Sequence, residues 1–207
     1  MLLCSLAHQV YAASVSLKVV DQHGAPIQNA VVSAQAQTAF TSPLSPAVMD
    51  QIDKQFLPHV LVIKKNQYVN FPNSDNIRHH VYSFSAPKPF EIRLFERGDA
   101  APMQFEKPGI VTLGCNIHDQ MIGYIYIADN ETTAITDKNG LAELETSNDT
   151  LHLWHAQHSV NHSQRKQITL SGSPDGKTQV ITLTLLSNKE DSGKRQFGTR
   201  KFGSKGE

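Results

Sequence analysis

The segment from Cys115 to Ile127 constrains the fold more than any other part of this chain. It reads Cys-Asn-Ile-His-Asp-Gln-Met-Ile-Gly-Tyr-Ile-Tyr-Ile, so a thiolate, an imidazole and a thioether stand at Cys115, His118 and Met121. The apolar alternation after Met121 is typical of a strand that leaves a loop. These three donor types belong to mononuclear copper sites, which hold the metal with two His, one Cys and a weak axial Met. The sequence therefore predicts a site for one copper ion, cycling between Cu(I) and Cu(II), whose second His comes from elsewhere in the chain.

Composition and cysteine usage limit the compartment and the partners. A chain of 207 residues suits one or two small domains. Its net charge of zero does not indicate a nucleic-acid partner. Residues 1–12 include an apolar start with Cys4 and end in small residues, which is typical of a secretory signal remnant. We expect cleavage after Ala12, which leaves Cys115 as a lone cysteine in an exported, periplasmic protein and makes a ligand role more plausible. No other stretch is long and apolar enough to predict an integral membrane segment.

The pattern along the chain predicts an all-β protein in three ordered segments and a tail. Residues 14–46 contain two strands around a turn at 21–26, followed by a proline-rich linker. Residues 48–128 hold several short strands, and one of them, 109–115, leads straight into the predicted metal loop. Residues 129–186 again show strands separated by turns, as residues 14–46 do. Residues 187–207 are rich in Gly, Ser, Lys and Arg, which predicts a disordered tail.

The segment 48–128 resembles the cupredoxin family, the small blue-copper proteins that include plastocyanin and amicyanin. The match is carried by Asn73-Ser74-Asp75 with His79, by the Cys115, His118 and Met121 spacing, and by the exit strand 122–127. The resemblance implies a Greek-key β-sandwich. It also implies Cys115 and His118 as equatorial ligands, Met121 as the axial ligand and His79 as the remaining equatorial one.

The doublet His79-His80 leaves the second imidazole open between two neighbours. Counting without gaps from Asn73 in the cupredoxin pattern favours His79. Strand alternation favours His80, because Tyr82 and Phe84 would then point into the core, whereas His79 would place Val81 and Ser83 there. We favour His79, with His80 as the alternate, because bulges before strands often reset the phase of alternation.

The segments on either side of 48–128 resemble a single transthyretin-like or carboxypeptidase-regulatory-like β domain. Residues 19–26 and 30–32 are similar to its opening, and residues 136–140 are similar to a later turn. This resemblance implies that the copper module is inserted in, or flanked by, a second small β-sandwich. The whole arrangement resembles bacterial proteins described as methylamine-utilisation or plastocyanin-like.

Four further histidines follow in the last ordered segment, and they raise the question of a second metal site. On a strand, His152 and His155 would point to opposite faces, so we predict that His152, His155, His158 and His162 are solvated surface residues. His59 is predicted to be a solvated residue at a strand entry. Trp154 is predicted to anchor the core of the flanking domain.

Together these patterns predict a soluble carrier of single electrons between redox proteins in the periplasm. The alternative is a module that binds, delivers or senses copper without redox turnover. Copper enzymes related to cupredoxins combine several such domains with a further copper centre, whereas this chain has one Cys-His-Met loop, so we expect no enzymatic activity.

Overall fold

The computed structural model describes residues 13–39, 44–95, 98–99, 101–118, 120–171 and 177–186. Within these ranges the regular structure is strand with one short 3-10 turn, and the predicted all-β class is confirmed. Among the described residues there is no helix with the length and apolar character needed to span a membrane. The predicted signal remnant at 1–12 and the predicted disordered tail at 187–207 lie outside the described residues.

The strands are numbered in chain order, and most are short. Their bounds are β1 Ala13–Val20, β2 Val31–Gln35, β3 Ala47–Val48, β4 Asp50–Ile52, β5 Gln55–Leu57, β6 Val60–Lys64, β7 Tyr68–Asn70, β8 Pro72–Asn73, β9 His79–Ser83, β10 Phe90–Phe95, β11 Gly98–Asp99, β12 Met103–Gln104, β13 Gly109–Gly114, β14 Ile122–Ala128, β15 Glu131–Ile135, β16 Leu141–Thr146, β17 Thr150–Trp154, β18 Arg165–Thr169 and β19 Gln179–Thr182. The 3-10 turn is Ala156–His158.

The first two strands pair with strands from the end of the chain. β1 lies between β16, to which it is antiparallel, and β19, to which it is parallel. β2 lies between β15 and β17, and β18 follows at the edge beside β17. These two sheets enclose an aliphatic core that includes Leu17, Val32, Leu144 and Leu153. Strands β3 to β14 therefore come, in sequence, between two groups of strands that pair with each other.

The middle of the chain forms a five-stranded sheet and two smaller sheets around a second core. The large sheet has the order β10-β9-β13-β14-β6, and the smaller ones have the orders β11-β8-β4-β5 and β12-β7-β3. Phe56, Phe71, Leu113 and Ile125 are among the residues buried between them. Cys115 and Met121 belong to the same buried cluster, so the predicted metal loop lies at one end of this core.

A third cluster joins the two parts of the protein. The outer face of β14 presents Tyr124 and Tyr126, which pack edge-on against Trp154 of β17 with ring centroids 5.6 and 6.1 Å apart. Trp154 is fully buried, but its aromatic contacts are with the central sheet, so it lies at the junction between the two parts. Below it, Arg165 donates to the Tyr126 hydroxyl and to a Glu131 carboxylate oxygen.

The histidines of the last segment are not the solvated surface residues that the sequence predicted. His152, His155, His158 and His162 are all half-buried. Burial, the positive potential of His59 and that of His158 lower the pKa of His155 to about 4, although a hydrogen bond with Gln28 opposes the shift. The prediction was wrong because His155 leaves β17 and caps the 3-10 turn, where its side chain accepts a hydrogen bond from the Gln157 amide.

Candidate metal centre

Three neighbouring strands bring the predicted ligands to one end of the large sheet. β13 pairs with β14 from Gly109 to Gly114 and meets β9 where Gly114 lies opposite Tyr82. His79 begins β9, Cys115 follows the last residue of β13, and Met121 precedes the first residue of β14. The loop between β13 and β14 is therefore held on both sides by strand pairing.

The structure brings His79, Cys115 and His118 together. Their ligand atoms all lie within 4.8 Å of one another, and this is the one such group of three among the residues that the structure describes. The Cys115 sulfur is 3.8 Å from Nδ1 of His118, and the rings of His79 and His118 have centroids 5.1 Å apart. Metal bonds to N and S donors of about 2.0–2.3 Å put the donors of a trigonal ion about 3.5–4 Å apart. The observed spacing therefore fits a single ion with only small adjustments.

The hydrogen bonding of His79 leaves one ring nitrogen available to a metal. Its Nε2 lies 2.6 Å from a carboxylate oxygen of Asp75. Because an ionised carboxylate only accepts hydrogen bonds, Nε2 must carry the proton. Nδ1 of this fully buried ring has no hydrogen-bond partner. A buried, unpaired nitrogen is costly unless something else binds it. Nδ1 of His80 is also buried and unpaired, so the position of His79 beside Cys115 and His118 is what makes its Nδ1 fit the role of a metal ligand.

His80 lies on the other side of β9 and is not part of the group. Its Nε2 is 2.9 Å from a carboxylate oxygen of Glu91, and its ring packs on Tyr82. The inward positions of β9 after His79 are Val81 and Ser83, both fully buried. The alternation argument for His80 assumed that the aromatic residues enter the core, but Phe84 is 87% exposed.

Met121 is placed at the same end of the core, next to the three grouped residues. Its side chain is 1% exposed and belongs to the apolar cluster that contains Cys115. Its backbone N–H donates to the carbonyl of His118 at 2.8 Å, which closes the tight turn at the end of the loop. The thioether is thus shielded from water as an axial ligand would be.

Asp75 is a functional candidate whose role the sequence analysis missed. One carboxylate oxygen accepts the backbone N–H of Asp53, and the other accepts that of Lys54 as well as the His79 ring. Burial raises the pKa of Asp75, but the hydrogen bonds from Lys54, His79 and Asp53 outweigh it and hold the pKa below its usual value. The only available sequence signal was the Asp four residues before a candidate ligand.

A cavity of about 720 Å³ opens beside the grouped residues. The turn between β4 and β5 forms one wall, and His118 and Met121 form the other. His59 also borders it and contacts Tyr124 edge-on at 5.4 Å. The half-buried His118 therefore connects the buried cluster to an open surface, which the partly exposed side chain of Ile122 also borders.

Comparison with known proteins finds similarity among solved structures only. The sequence matches no protein-family model and no curated protein. One similar structure is a Cu-containing nitrite reductase (NirK) from Thermus scotoductus SA-01, with 26% identity over 46% of this chain and a TM-score of 0.39; the match spans 25% of the reductase. Another is the reduced Cu(I) form at pH 4 of an amicyanin mutant, with 16% identity over 48% of this chain and 99% of amicyanin and a TM-score of 0.38. An oxidized amicyanin mutant matches at 16% identity over 46% of this chain and 91% of its own, with a TM-score of 0.37.

Proposed function

We propose that this protein carries single electrons through one copper ion held by His79, Cys115, His118 and Met121. The observation that supports the proposal is the grouping of two imidazoles and a thiol within 4.8 Å, with a buried and unpaired Nδ1 on His79. Copper bound there would supply one-electron chemistry, because thiolate and thioether donors suit Cu(I) while imidazole suits both oxidation states.

The surrounding chain has the properties that such a centre requires. Cys115 and Met121 are almost fully buried, so water is kept from the sulfur donors. Two paired strands fix the ends of the loop, which limits movement when the charge of the site changes. His118 is half-buried and borders the open cavity, so its ring edge is the group through which we expect electrons to enter and leave.

The finer parts of the proposal follow from the sequence. We infer a cupredoxin-like module carried between the halves of a second β domain, export to the periplasm, and redox proteins as partners. The proposal is a carrier without enzymatic activity, and the alternative is copper delivery or sensing without redox turnover.

Copper loading with optical and EPR spectroscopy tests the proposal. We expect one equivalent of Cu(II), an intense sulfur-to-copper charge-transfer band, and loss of that band in Cys115→Ser. His79→Ala should lose or strongly alter the band, while the matched variant His80→Ala should keep it. A protein that binds no stoichiometric copper, or a Cys115→Ser variant that retains the band, would refute the site. An unchanged band in His79→Ala with loss in His80→Ala would reassign the ligand.

Electron exchange separates the carrier from the delivery module. Ile122 is 41% exposed at the edge of the cavity, and Val180 on β19 is 63% exposed and serves as a control. Ile122→Lys should slow reduction by a protein donor without changing the visible spectrum, whereas Val180→Lys should leave both unchanged. Transfer of the copper itself to an acceptor chelator, faster than electron exchange, would favour delivery.

A further inference from the structure

We propose that Asp75 is a positioning residue: it fixes the His79 ring with Nδ1 free of a proton and couples that ring to the turn between β4 and β5. This inference deepens the proposed function and depends on it for its consequences at copper. The arrangement of hydrogen bonds itself is independent of any metal and is tested separately.

The carboxylate of Asp75 receives three hydrogen-bond donors. Asp75 accepts the Asp53 amide at 2.8 Å, the Lys54 amide at 3.0 Å and the His79 ring at 2.6 Å. The Asp53 amide binds one carboxylate oxygen, and the Lys54 amide binds the oxygen that also accepts the ring, so the turn holds the carboxylate in place. Because the carboxylate cannot rotate freely, its second oxygen fixes the rotation of the imidazole about its Cβ–Cγ bond.

The same hydrogen bonds determine which ring nitrogen faces Cys115 and His118 without a proton. The Nε2 proton points at an acceptor that cannot donate, so the neutral ring has its lone pair on Nδ1. A carboxylate partner on the distal nitrogen also makes a ligating imidazole more basic. A more basic ligand favours the higher oxidation state of a bound metal, so we expect Asp75 to lower the reduction potential of the centre.

Glu91 on β10 provides a matched control for Asp75, because it contacts the neighbouring histidine, His80, on β9. It makes an equivalent contact with Nε2 of His80 at 2.9 Å, but its side chain is 54% exposed, against 12% for Asp75. His80 lies outside the group of ligand atoms. Removing the charge of Glu91 therefore tests a carboxylate–histidine pair that has no metal to position.

Asp75→Asn is the informative substitution because it keeps the shape and removes one acceptor. If the amide NH₂ faces His79, it must donate to Nε2, which moves the ring proton to Nδ1, and the Lys54 amide loses its acceptor. If it faces the turn, it opposes the Asp53 amide, which then loses its acceptor. Either outcome weakens the present arrangement, and only the first changes the tautomer of His79.

The first measurement is ¹⁵N NMR of the histidine rings in the metal-free protein at neutral pH. We expect the wild-type His79 ring to be protonated at Nε2 and not at Nδ1. In Asp75→Asn we expect a substantial population of the opposite tautomer, with no such change at His79 in Glu91→Gln. A wild-type ring with its proton on Nδ1 would overturn the proposal. This wild-type result decides the question even if Asp75→Asn does not fold.

The second measurement is copper affinity and reduction potential. Loss of such a hydrogen-bond partner typically weakens metal binding by about 10–100-fold. We expect that loss for Cu(II) in Asp75→Asn, a smaller loss for Cu(I), and less than about twofold change in Glu91→Gln. Each tenfold difference between the two losses raises the potential by about 59 mV. Equal losses for both oxidation states, or a lowered potential, would refute the electronic role. A protein that binds no copper but shows the expected tautomer would refute the proposed function and retain the positioning role.

Discussion

Two glycines that flank the metal loop allow a quantitative test of how tightly the strands are packed there. Gly114 ends β13 and Gly123 lies in β14, and a Cβ built on each would overlap a neighbour. At Gly114 the nearest atoms are the ring end of Tyr82 at 2.8 Å, and at Gly123 the nearest atom is Cβ of Phe56 at 2.7 Å. The overlaps are nearly equal, but we expect their costs to differ.

The costs should differ because Tyr82 can move away from the added methyl group and Phe56 cannot. Tyr82 is half-buried on the outer face of β9, and its ring can swing away at the expense of its contacts with His80 and Phe84. Losing such aromatic contacts costs about 1 kcal/mol. Phe56 is 1% exposed, and its Cβ moves only if the backbone of β5 moves. Overpacking of that kind costs about 3 kcal/mol.

The assay is urea unfolding of the metal-free protein with Gly114→Ala, Gly123→Ala, Tyr82→Ala and the double variant Gly114→Ala/Tyr82→Ala. We expect losses in the free energy of unfolding of about 1 kcal/mol for Gly114→Ala and about 3 kcal/mol for Gly123→Ala. In the double variant the alanine at 114 should cost little, because the ring that it displaces is gone. Equal costs for the two glycines, or strict additivity with Tyr82→Ala, would refute the reasoning.

Three further predictions concern substitutions away from the metal loop. The pKa of His155 is lowered to about 4, so the unfolded chain binds more protons than the folded protein between pH 6.5 and 4. As pH falls through this window, the free energy of unfolding should therefore drop. We expect this drop to be about 2 kcal/mol larger in the wild type than in His155→Gln, measured by urea titration at each pH. Lys54 has φ of 59°, a backbone conformation that glycine adopts more easily than other residues. Lys54→Gly should therefore stabilise the protein by about 0.5 kcal/mol, and a lower melting temperature would contradict this. Arg165→Met removes a cation that pairs with the nearly buried Glu131 carboxylate and should cost about 2–3 kcal/mol at pH 7, measured by urea unfolding; a cost below about 0.5 kcal/mol would show that solvent already screens the pair.

Most of the central strands could be predicted from the sequence because their apolar residues alternate. The predicted strand 109–115, which runs into the loop, and the predicted exit strand 122–127 match Gly109–Gly114 and Ile122–Ala128 of the structure closely. The choice between His79 and His80 could not be made this way. Tyr82 and Phe84 lie on the outer side, where Phe84 is 87% exposed, so these aromatic residues did not mark the core face and misled the alternation argument.

The hairpin of β4 and β5 was missed for a different reason. Its turn is Asp53-Lys54, both residues have positive φ, and neither is the glycine that usually signals such a turn. The turn is stabilised instead by the carboxylate of Asp75, which is far away in sequence. A local pattern cannot show a turn whose stabilising acceptor comes from the distant loop between β8 and β9, and the position of Asp75 behind His79 was missed with it.

β14, the strand that leaves the loop, packs against both parts of the protein. β14 is buried along almost its whole length: Ile125 and Ile127 face the core beside Cys115, and Tyr124 and Tyr126 face Trp154. A strand covered on both faces reads as a continuous apolar run, as this one does. Without the strands that carry Trp154, the outer face of β14 would be exposed, and the end of the strand that fixes Met121 would lose its support on that side. The outer part of the protein therefore completes the packing that holds the metal loop in place.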